Sequence, residues 1–184
     1  DAALDAVSNC TTIAGDLRVL DTVLLSDLSA LSGLTSVGGV LEIARNNSLT
    51  SLDGLSSLSS LGGNLLVDDR ELRIADNDVL TSLTGLQYLS APDGQVHVSN
   101  NDALEGLEGL GGYTSITHLY IYNNDALVSL SGLSNLTEVQ YSLSLSNNDV
   151  LTSLTGLDAL ASVGGALGID RNRDLQNLDA LGPN

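Results

Sequence analysis

An apolar–polar–apolar triplet recurs along the chain at nearly constant spacing, and this period constrains the fold more than any other feature. Its apolar members are Leu17/Val19, Leu41/Ile43, Leu72/Ile74, Val96/Val98, Leu119/Ile121, Leu143/Leu145 and Leu167/Ile169. The first members are 24, 31, 24, 23, 24 and 24 residues apart. A fixed period of this length is typical of solenoids, in which each repeat buries its apolar face only by stacking on its neighbours.

Each repeat continues with the same signals after the triplet. An Asn follows the opening of each triplet by five residues, except in the first repeat, which has Thr22. Leucines then recur at every third position, as in Leu151, Leu154 and Leu157, a spacing that suits 3₁₀-like turns. The triplet suits a short strand whose side chains alternate inward and outward. We therefore predict a repeat solenoid with one parallel β face and about seven coils of about 24 residues.

The one long interval, of 31 residues, exceeds the period by seven. Leu65/Val67 would continue the regular period, and Leu72/Ile74 repeat the pattern, so we predict an insertion around 65–72. Residues 1–16 are predicted to form an N-terminal cap, a short helix followed by the lead-in to the first strand. Residues 17–184 are predicted to form the solenoid, so that the whole chain is a single domain.

The predicted ends of the solenoid differ. At the C-terminus, DLQNLDALGPN runs out of the last repeat without a polar cap. An uncovered last coil would be an edge ready for pairing, so we expect end-to-end stacking or docking onto another domain. Cys10, the only cysteine, lies one 24-residue period before Leu34, which has the spacing of a core residue. We therefore predict that the Cys10 thiol is small and buried.

Three features of the sequence resemble known families. The motif L-x-I-x-x-N-x-x-L-x-x-L is similar to a leucine-rich repeat. The segment NCTTIAGDLRV at 9–19 and the recurring Val-Gly-Gly-x-Leu-x-Ile resemble the receptor L domain of insulin- and EGF-receptor-type ectodomains. This resemblance covers residues 9–181 and implies a right-handed β-helix with leucine-rich-repeat character. The monotony of the repeats resembles that of secreted or surface leucine-rich proteins of bacteria and protists.

Stacking turns each repeated position into a column. One column is predicted to be an internal amide ladder that satisfies backbone groups where the strands turn: Asn46, Asn77, Asn101, Asn124, Asn148 and Asn172. The next position carries four successive carboxylates: Asp78, Asp102, Asp125 and Asp149. Like charges about 5 Å apart cost stability unless they are screened or bridged. This column is interpreted either as turn-capping aspartates or as a calcium site, and no other cofactor is indicated.

The strongly acidic composition disfavours anionic partners. Six Lys and Arg against 23 Asp and Glu give a formal net charge of −17, which disfavours nucleic acid and anionic membranes. No apolar run approaches the length of a membrane-spanning helix, so no direct membrane insertion is expected. The chain contains no Met, so Asp1 is not an initiator residue, and we expect an extracellular or cell-surface protein whose leader has been removed.

Aromatic side chains gather on the outward positions of the predicted strands. His97 lies between two inward-facing valines, Tyr120 and Tyr122 lie on the next strand, and Tyr141 lies near the strand after it. Such a patch can stack on a sugar or a peptide, whereas ordinary strand propensity of Tyr and a surface His are the alternative. His97 and His118 belong to no metal-ligand or nucleophile pattern, so both are interpreted as surface side chains.

These observations predict a non-enzymatic extracellular recognition or structural module. We expect it to bind a protein or glycan partner, or a second copy, through its strand face or its open C-terminal end. A carbohydrate-binding surface protein is the main alternative. Ice binding would need matched ranks of Thr, but Glu105 and Val128 interrupt the best column. A polysaccharide-active enzyme would need a carboxylate pair, and none stands out.

Overall fold

The structure, a computed structural model, describes residues 8–62, 71–89 and 94–182. Over these ranges the chain is a parallel-strand β-solenoid, which confirms the predicted fold class. Its strands are β1 (Thr12–Ile13), β2 (Leu17–Leu20), β3 (Ser36–Val37), β4 (Leu41–Ala44), β5 (Ser60–Leu61), β6 (Glu71–Ala75), β7 (Gln95–Ser99), β8 (Ser115–Tyr122), β9 (Glu138–Ser146), β10 (Ser162–Val163) and β11 (Leu167–Asp170). Single 3₁₀ turns lie at Ser29–Leu31, Asp53–Leu55, Glu108–Leu110, Ser131–Leu133 and Asp179–Leu181.

The repeated triplets form the main face of the solenoid. Strands β2, β4, β6, β7, β8, β9 and β11 pair in parallel, each with the next. The first member of every triplet pairs with the first member of the following one, as in Leu17 with Leu41 and Leu119 with Leu143. Six steps therefore join the seven described strands. At about 4.8 Å per step, these strands span about 29 Å.

The 31-residue interval keeps this register. Leu72 is paired with Leu41 on one side and with Val96 on the other. Leu72 and Ile74 are fully buried. Residues 63–70, which include most of the predicted insertion, lie outside the described residues, as do residues 1–7 of the predicted N-terminal helix.

A second, narrower strip of strands precedes β2, β4, β6 and β11 of the main face. Here β1, β3 and β5 pair in parallel, and β10 pairs with the beginning of β9. In β8 and β9 both strips merge into one long strand, with a register irregularity between Ile116 and His118. Glycines after the short strands let neighbouring coils approach closely, because a Cβ at Gly38 or Gly164 would overlap a carbonyl oxygen of the preceding coil.

The core is aliphatic, and the leucines at every third position fill it. Leu49, Leu52, Leu55 and Leu58 are fully buried, and the corresponding leucines of the following coils repeat this arrangement. Tyr113 is also buried, its hydroxyl has no hydrogen-bond partner, and burial raises the pKa of that hydroxyl. Stacked leucines thus supply the hydrophobic stabilisation that no single coil can obtain alone.

Side chains in the first and last coils are more exposed than their counterparts in the inner coils. Cys10 is exposed, so the prediction of a buried thiol is wrong. Leu34, one period later, has coils on both sides, whereas within the described residues no coil precedes that of Cys10. In the last coil Leu167 and Leu178 are 48% and 53% exposed.

Candidate functional site

The asparagine column lies inside the solenoid where the main strands end. Asn46, Asn77, Asn101, Asn124 and Asn148 are fully buried, and Asn172 in the last coil is half-buried. The backbone N–H of Asn101 donates to Oδ1 of Asn124 at 3.2 Å. Nδ2 of Asn101 donates to the carbonyl oxygens of Ile74 and Ser99, both at 3.0 Å. Equivalent bonds run from Asn46 to Asn172, so each amide joins neighbouring coils.

Each residue before this column adopts a left-handed backbone conformation. The φ angles lie between 51° and 58° at Asp21, Arg45, Asp76, Asn100, Asn123, Asn147 and Arg171. Their side chains form an outer ladder in which Asn123 donates to Asn100, and Asn100 to Asp76, both at 2.8 Å. The sequence analysis did not predict this column. The sequence does carry a sign of it, because an Asn or Asp precedes most residues of the asparagine column, and these two residue types tolerate positive φ.

The aspartate column lies outside the turn, one position further along. Partial burial raises the pKa of Asp102, and the neighbouring Asp125 and Asp78 raise it further. In the last coil Arg173 occupies the column position, and its Nη1 lies 3.3 Å from Oδ2 of Asp149.

These carboxylates do not converge on a metal site. Throughout the described ranges, no three His, Cys, Asp or Glu side chains form a group that could hold a metal ion. Each coil contributes one aspartate, so the carboxylates form a row along the stack and not a cluster of three ligands. The geometry therefore gives the calcium interpretation of Asp78, Asp102, Asp125 and Asp149 no support.

The outward side chains of the main face form a continuous polar chain. Arg18 on β2 lies 3.6 Å from a carboxylate oxygen of Glu42 on β4, and Arg73 on β6 lies 3.4 Å from the other. Nη1 of Arg73 then contacts Nδ1 of His97 on β7 at 2.8 Å. His97 Nε2 lies 2.8 Å from the hydroxyl of Tyr122 on β8. One chain of polar contacts thus crosses five strands.

His97 is covered by these neighbours, with only 11% of its side chain exposed. The interpretation of His97 as a surface residue is therefore wrong: it faces outward, but Arg73, Tyr120 and Tyr122 pack over it. Burial, together with the Arg73 guanidinium, lowers the pKa of His97 to about 4.

The contact with Arg73 determines the tautomer of His97. A guanidinium can only donate, so Nδ1 of His97 must accept and the ring proton must be on Nε2. This Nε2–H donates to the Tyr122 hydroxyl oxygen. The phenolic proton of Tyr122 consequently remains available for an acceptor outside the protein.

All four predicted aromatic site residues lie together, and His118 joins them. His118 stacks between Tyr141 and Tyr120, with ring centroids 5.1 and 5.8 Å away and planes within 23°. The His97 ring lies 6.1 Å from that of Tyr120 and 5.1 Å from that of Tyr122. We call these five residues the aromatic cluster. Sequence reasoning set His118 aside because it stands before the triplet, whereas β8 begins at Ser115.

The aromatic cluster borders a lower strip of the same face. On β9 three half-buried serines lie opposite His118, Tyr120 and Tyr122: Ser142, Ser144 and Ser146. On β11 Gly168 continues the strip beyond Ser144. The large rings of β8 therefore project beyond the small side chains of the neighbouring strands. Another molecule can lie over these small side chains and contact the edge of the rings.

Comparison with known proteins agrees with this architecture. The family model of the Receptor L domain matches residues 9–109. No curated protein and no solved structure matches the chain. Receptor L domains are typically extracellular and bind ligands, and solenoids of this type are typical of non-enzymatic binding modules. In the described part of the chain, no helix combines the length and apolarity needed to cross a membrane. The match spans more than half of the chain, and the chain belongs to the Receptor L domain family.

Proposed function

We propose that this protein is a non-enzymatic extracellular recognition module that binds a partner protein through the aromatic cluster. The observation that carries the proposal is the connection from Arg73 through His97 to Tyr122, which leaves one phenolic proton free to donate. Tyrosines are enriched at protein interfaces because they combine large apolar area with a hydrogen-bonding group and few rotatable bonds. The cluster provides three of them, and Tyr141 is 57% exposed.

Ring orientation favours a protein over a glycan. A sugar usually packs on an open aromatic face, but Tyr120 and Tyr141 occupy the faces of His118, and His97 contacts Tyr120. His118 therefore has no open ring face for a sugar. The hydroxyl groups and ring edges of the tyrosines suit the carbonyl oxygens and apolar side chains of a protein surface.

The same contacts argue against catalysis. Both ring nitrogens of His97 are engaged, one with Arg73 and the other with Tyr122, and no described serine or cysteine hydrogen bonds to either. A lowered pKa keeps His97 neutral at pH 7, but a general base also needs an accessible lone pair. The histidine thus acts as a positioning residue for Tyr122.

The experiment is parallel screening of the chain against an array of extracellular proteins and a glycan array. We expect protein hits that Tyr120→Ala weakens by at least about thirtyfold, the loss of an interface hot spot. Tyr122→Phe, which removes only the outward hydroxyl, is expected to weaken them by about threefold to tenfold. Tyr88→Phe is the matched control, because Tyr88 is 67% exposed outside the main face.

The outcomes separate the alternatives. Glycan hits that depend on Tyr120 would replace the protein partner with a carbohydrate. If the cluster variants bind the protein hits with unchanged affinity, the binding surface lies outside the aromatic cluster. Thermal melting of each variant controls for folding, because Tyr122→Phe also removes the acceptor of the His97 Nε2–H bond.

A further inference from the structure

The tripeptide Asn-x-Ser/Thr, in which x is any residue except Pro, occurs three times in the sequence: Asn9-Cys10-Thr11, Asn46-Asn47-Ser48 and Asn135-Leu136-Thr137. In secreted proteins the Asn of this motif is the acceptor of N-linked glycans. A glycan is bulky and polar, so only an asparagine at the surface of the folded chain can carry one. Burial therefore distinguishes the three motifs from one another.

The Asn135 motif lies on the surface, between the 3₁₀ turn Ser131–Leu133 and strand β9. Asn135 and Thr137 are exposed, while Leu136 between them is fully buried and fixes the motif to the core. Nδ2 of Asn135 donates to the carbonyl oxygen of Gly111 at 2.8 Å. An Asn amide has two hydrogens on Nδ2 and glycosylation replaces one of them, so the modified side chain keeps a donor for Gly111.

The Asn9 motif occupies the same place in the repeat. Asn9 lies eight residues before Leu17, which opens the triplet of β2. Asn135 likewise lies eight residues before Leu143, which opens the triplet of β9. Asn9 and Thr11 are exposed within the described residues. Five steps of the main face separate the two triplets, so both acceptors lie on one edge of the solenoid, about 24 Å apart.

The Asn46 motif has the opposite environment. Asn46 is fully buried in the asparagine column. Its Nδ2 makes two hydrogen bonds, one to the carbonyl oxygen of Val19 at 2.9 Å and one to Oδ1 of Asn77 at 3.3 Å. A sugar on this nitrogen would break one of these bonds, and the close-packed interior of the solenoid has no space for it. The fold therefore excludes a glycan at Asn46.

We propose that Asn135 and Asn9 are acceptors of N-linked glycans and that Asn46 is not. In this reaction Nδ2 attacks the anomeric carbon of an oligosaccharide carried on a lipid diphosphate. The new C–N bond replaces the C–O bond to the diphosphate, which leaves with its lipid, and the amide nitrogen loses one proton. The glycan donor and the transferring enzyme belong to a secretory pathway, so the inference rests on the extracellular location in the proposed function.

Glycans on this edge are compatible with binding at the aromatic cluster. Asn135 precedes strand β9, and the cluster residue nearest to it in sequence is Tyr141. From Glu138, where β9 begins, the strand advances about 10 Å before it reaches Tyr141. The attachment points therefore lie outside the cluster, and the tyrosines stay accessible to a partner.

The test is secretion of the full 184-residue chain from eukaryotic cells behind a cleavable signal peptide. Intact mass and peptide mapping of the secreted protein then identify the modified residues. We expect one glycan on Asn135, one on Asn9 and an unmodified Asn46. An unmodified Asn135 or Asn9 overturns the assignment of that residue, and a glycan on Asn46 in folded protein overturns the argument from burial.

Thr137 provides a matched pair of variants. Thr137→Ala should lower the mass of the secreted protein by one glycan, whereas Thr137→Ser should leave it glycosylated, because Ser also completes the motif. Thr137 is exposed, and circular dichroism checks the fold of both variants. A glycan that persists on Asn135 in Thr137→Ala would contradict the motif. Binding of unglycosylated chain made in bacteria tests the proposed function separately, so a failure of one proposal is distinguished from a failure of the other.

Discussion

Nε2 of His97 lies 2.8 Å from the hydroxyl of Tyr122 on the next coil, while Nδ1 is bonded to Arg73. Arg73, His97 and Tyr122 belong to three successive strands of the main face, so coil stacking alone brings them together. The result is a neutral histidine that holds one tyrosine in a fixed orientation. Under the proposed function, this arrangement orients the aromatic cluster before a partner arrives, which lowers the entropy lost on binding.

The first prediction concerns the titration of His97. Its folded-state pKa of about 4 lies below the ordinary value of 6.5, so the unfolded chain binds more protons between these values. The free energy of unfolding therefore falls as the pH is lowered from about 6.5 to 4. Arg73→Met should raise the pKa of His97, because it removes the nearby positive charge. NMR titration of the imidazole measures the pKa of His97 in the wild-type and Arg73→Met proteins. Arg18→Met is the control, because Arg18 lies two strands from Arg73 and its loss should leave the pKa of His97 unchanged.

The second prediction tests the internal ladder. Asn124→Leu removes the acceptor of the Asn101 N–H and leaves it buried without a partner. We expect the free energy of unfolding to fall by about 1–3 kcal/mol, the cost of unsatisfied buried polar groups. Chemical denaturation provides the measurement. Asn135→Leu is the control, since Asn135 is exposed and bonds only one carbonyl, that of Gly111; equal losses at both positions would contradict a special role for the ladder.

The third prediction tests the aspartate column. Because the pKa of Asp102 is raised, the folded state binds more protons, and lowering the pH through this pKa strengthens folding at this site. Asp102→Asn should therefore raise the melting temperature at pH 7 and low salt, and the gain should shrink at high salt.

Calcium at constant ionic strength is expected to leave that melting temperature unchanged, because the described carboxylates form no three-ligand group. Magnesium at the same concentration serves as the comparison. A rise specific to calcium, lost in Asp102→Asn, would show that the column binds the ion.

The fourth prediction concerns Ser99, which is fully buried and whose hydroxyl has no hydrogen-bond partner. Ala44 and Ala75 occupy the same column on the preceding coils. Ser99→Ala should therefore fit without strain and raise the free energy of unfolding by about 1 kcal/mol, since it removes an unsatisfied buried group. Ser144→Ala on the half-buried strip is expected to change it little. A destabilised Ser99→Ala protein would mean that the hydroxyl has a partner, such as an ordered water.

Most of the fold could be predicted because a solenoid is specified by local repetition. Leu72 and Ile74 enter the core in register after a longer interval, since the triplet and the following Asn fit only one position in the stack. Cys10 obeys the same period yet is exposed, because burial depends on a neighbouring coil as well as on sequence register. The exposed Leu167 and Leu178 follow the same principle at the other end.

The candidate site was predictable only in part. The positions of His97, Tyr120, Tyr122 and Tyr141 follow from the alternation of strand side chains. The participation of His118 depends on the long strand β8, in which two strips merge, and no pattern in the triplets indicates that merger.

By itself the sequence determined the stacked coils, the leucine core and the columns, because each depends on a period that repeats locally. The tertiary structure alone decided the tautomer of His97 and the free proton of Tyr122. These properties arise from distances between side chains on different coils, about 24 residues apart in sequence and a few ångströms apart in space. At that range, burial and hydrogen bonding between neighbouring coils decide what each side chain can do.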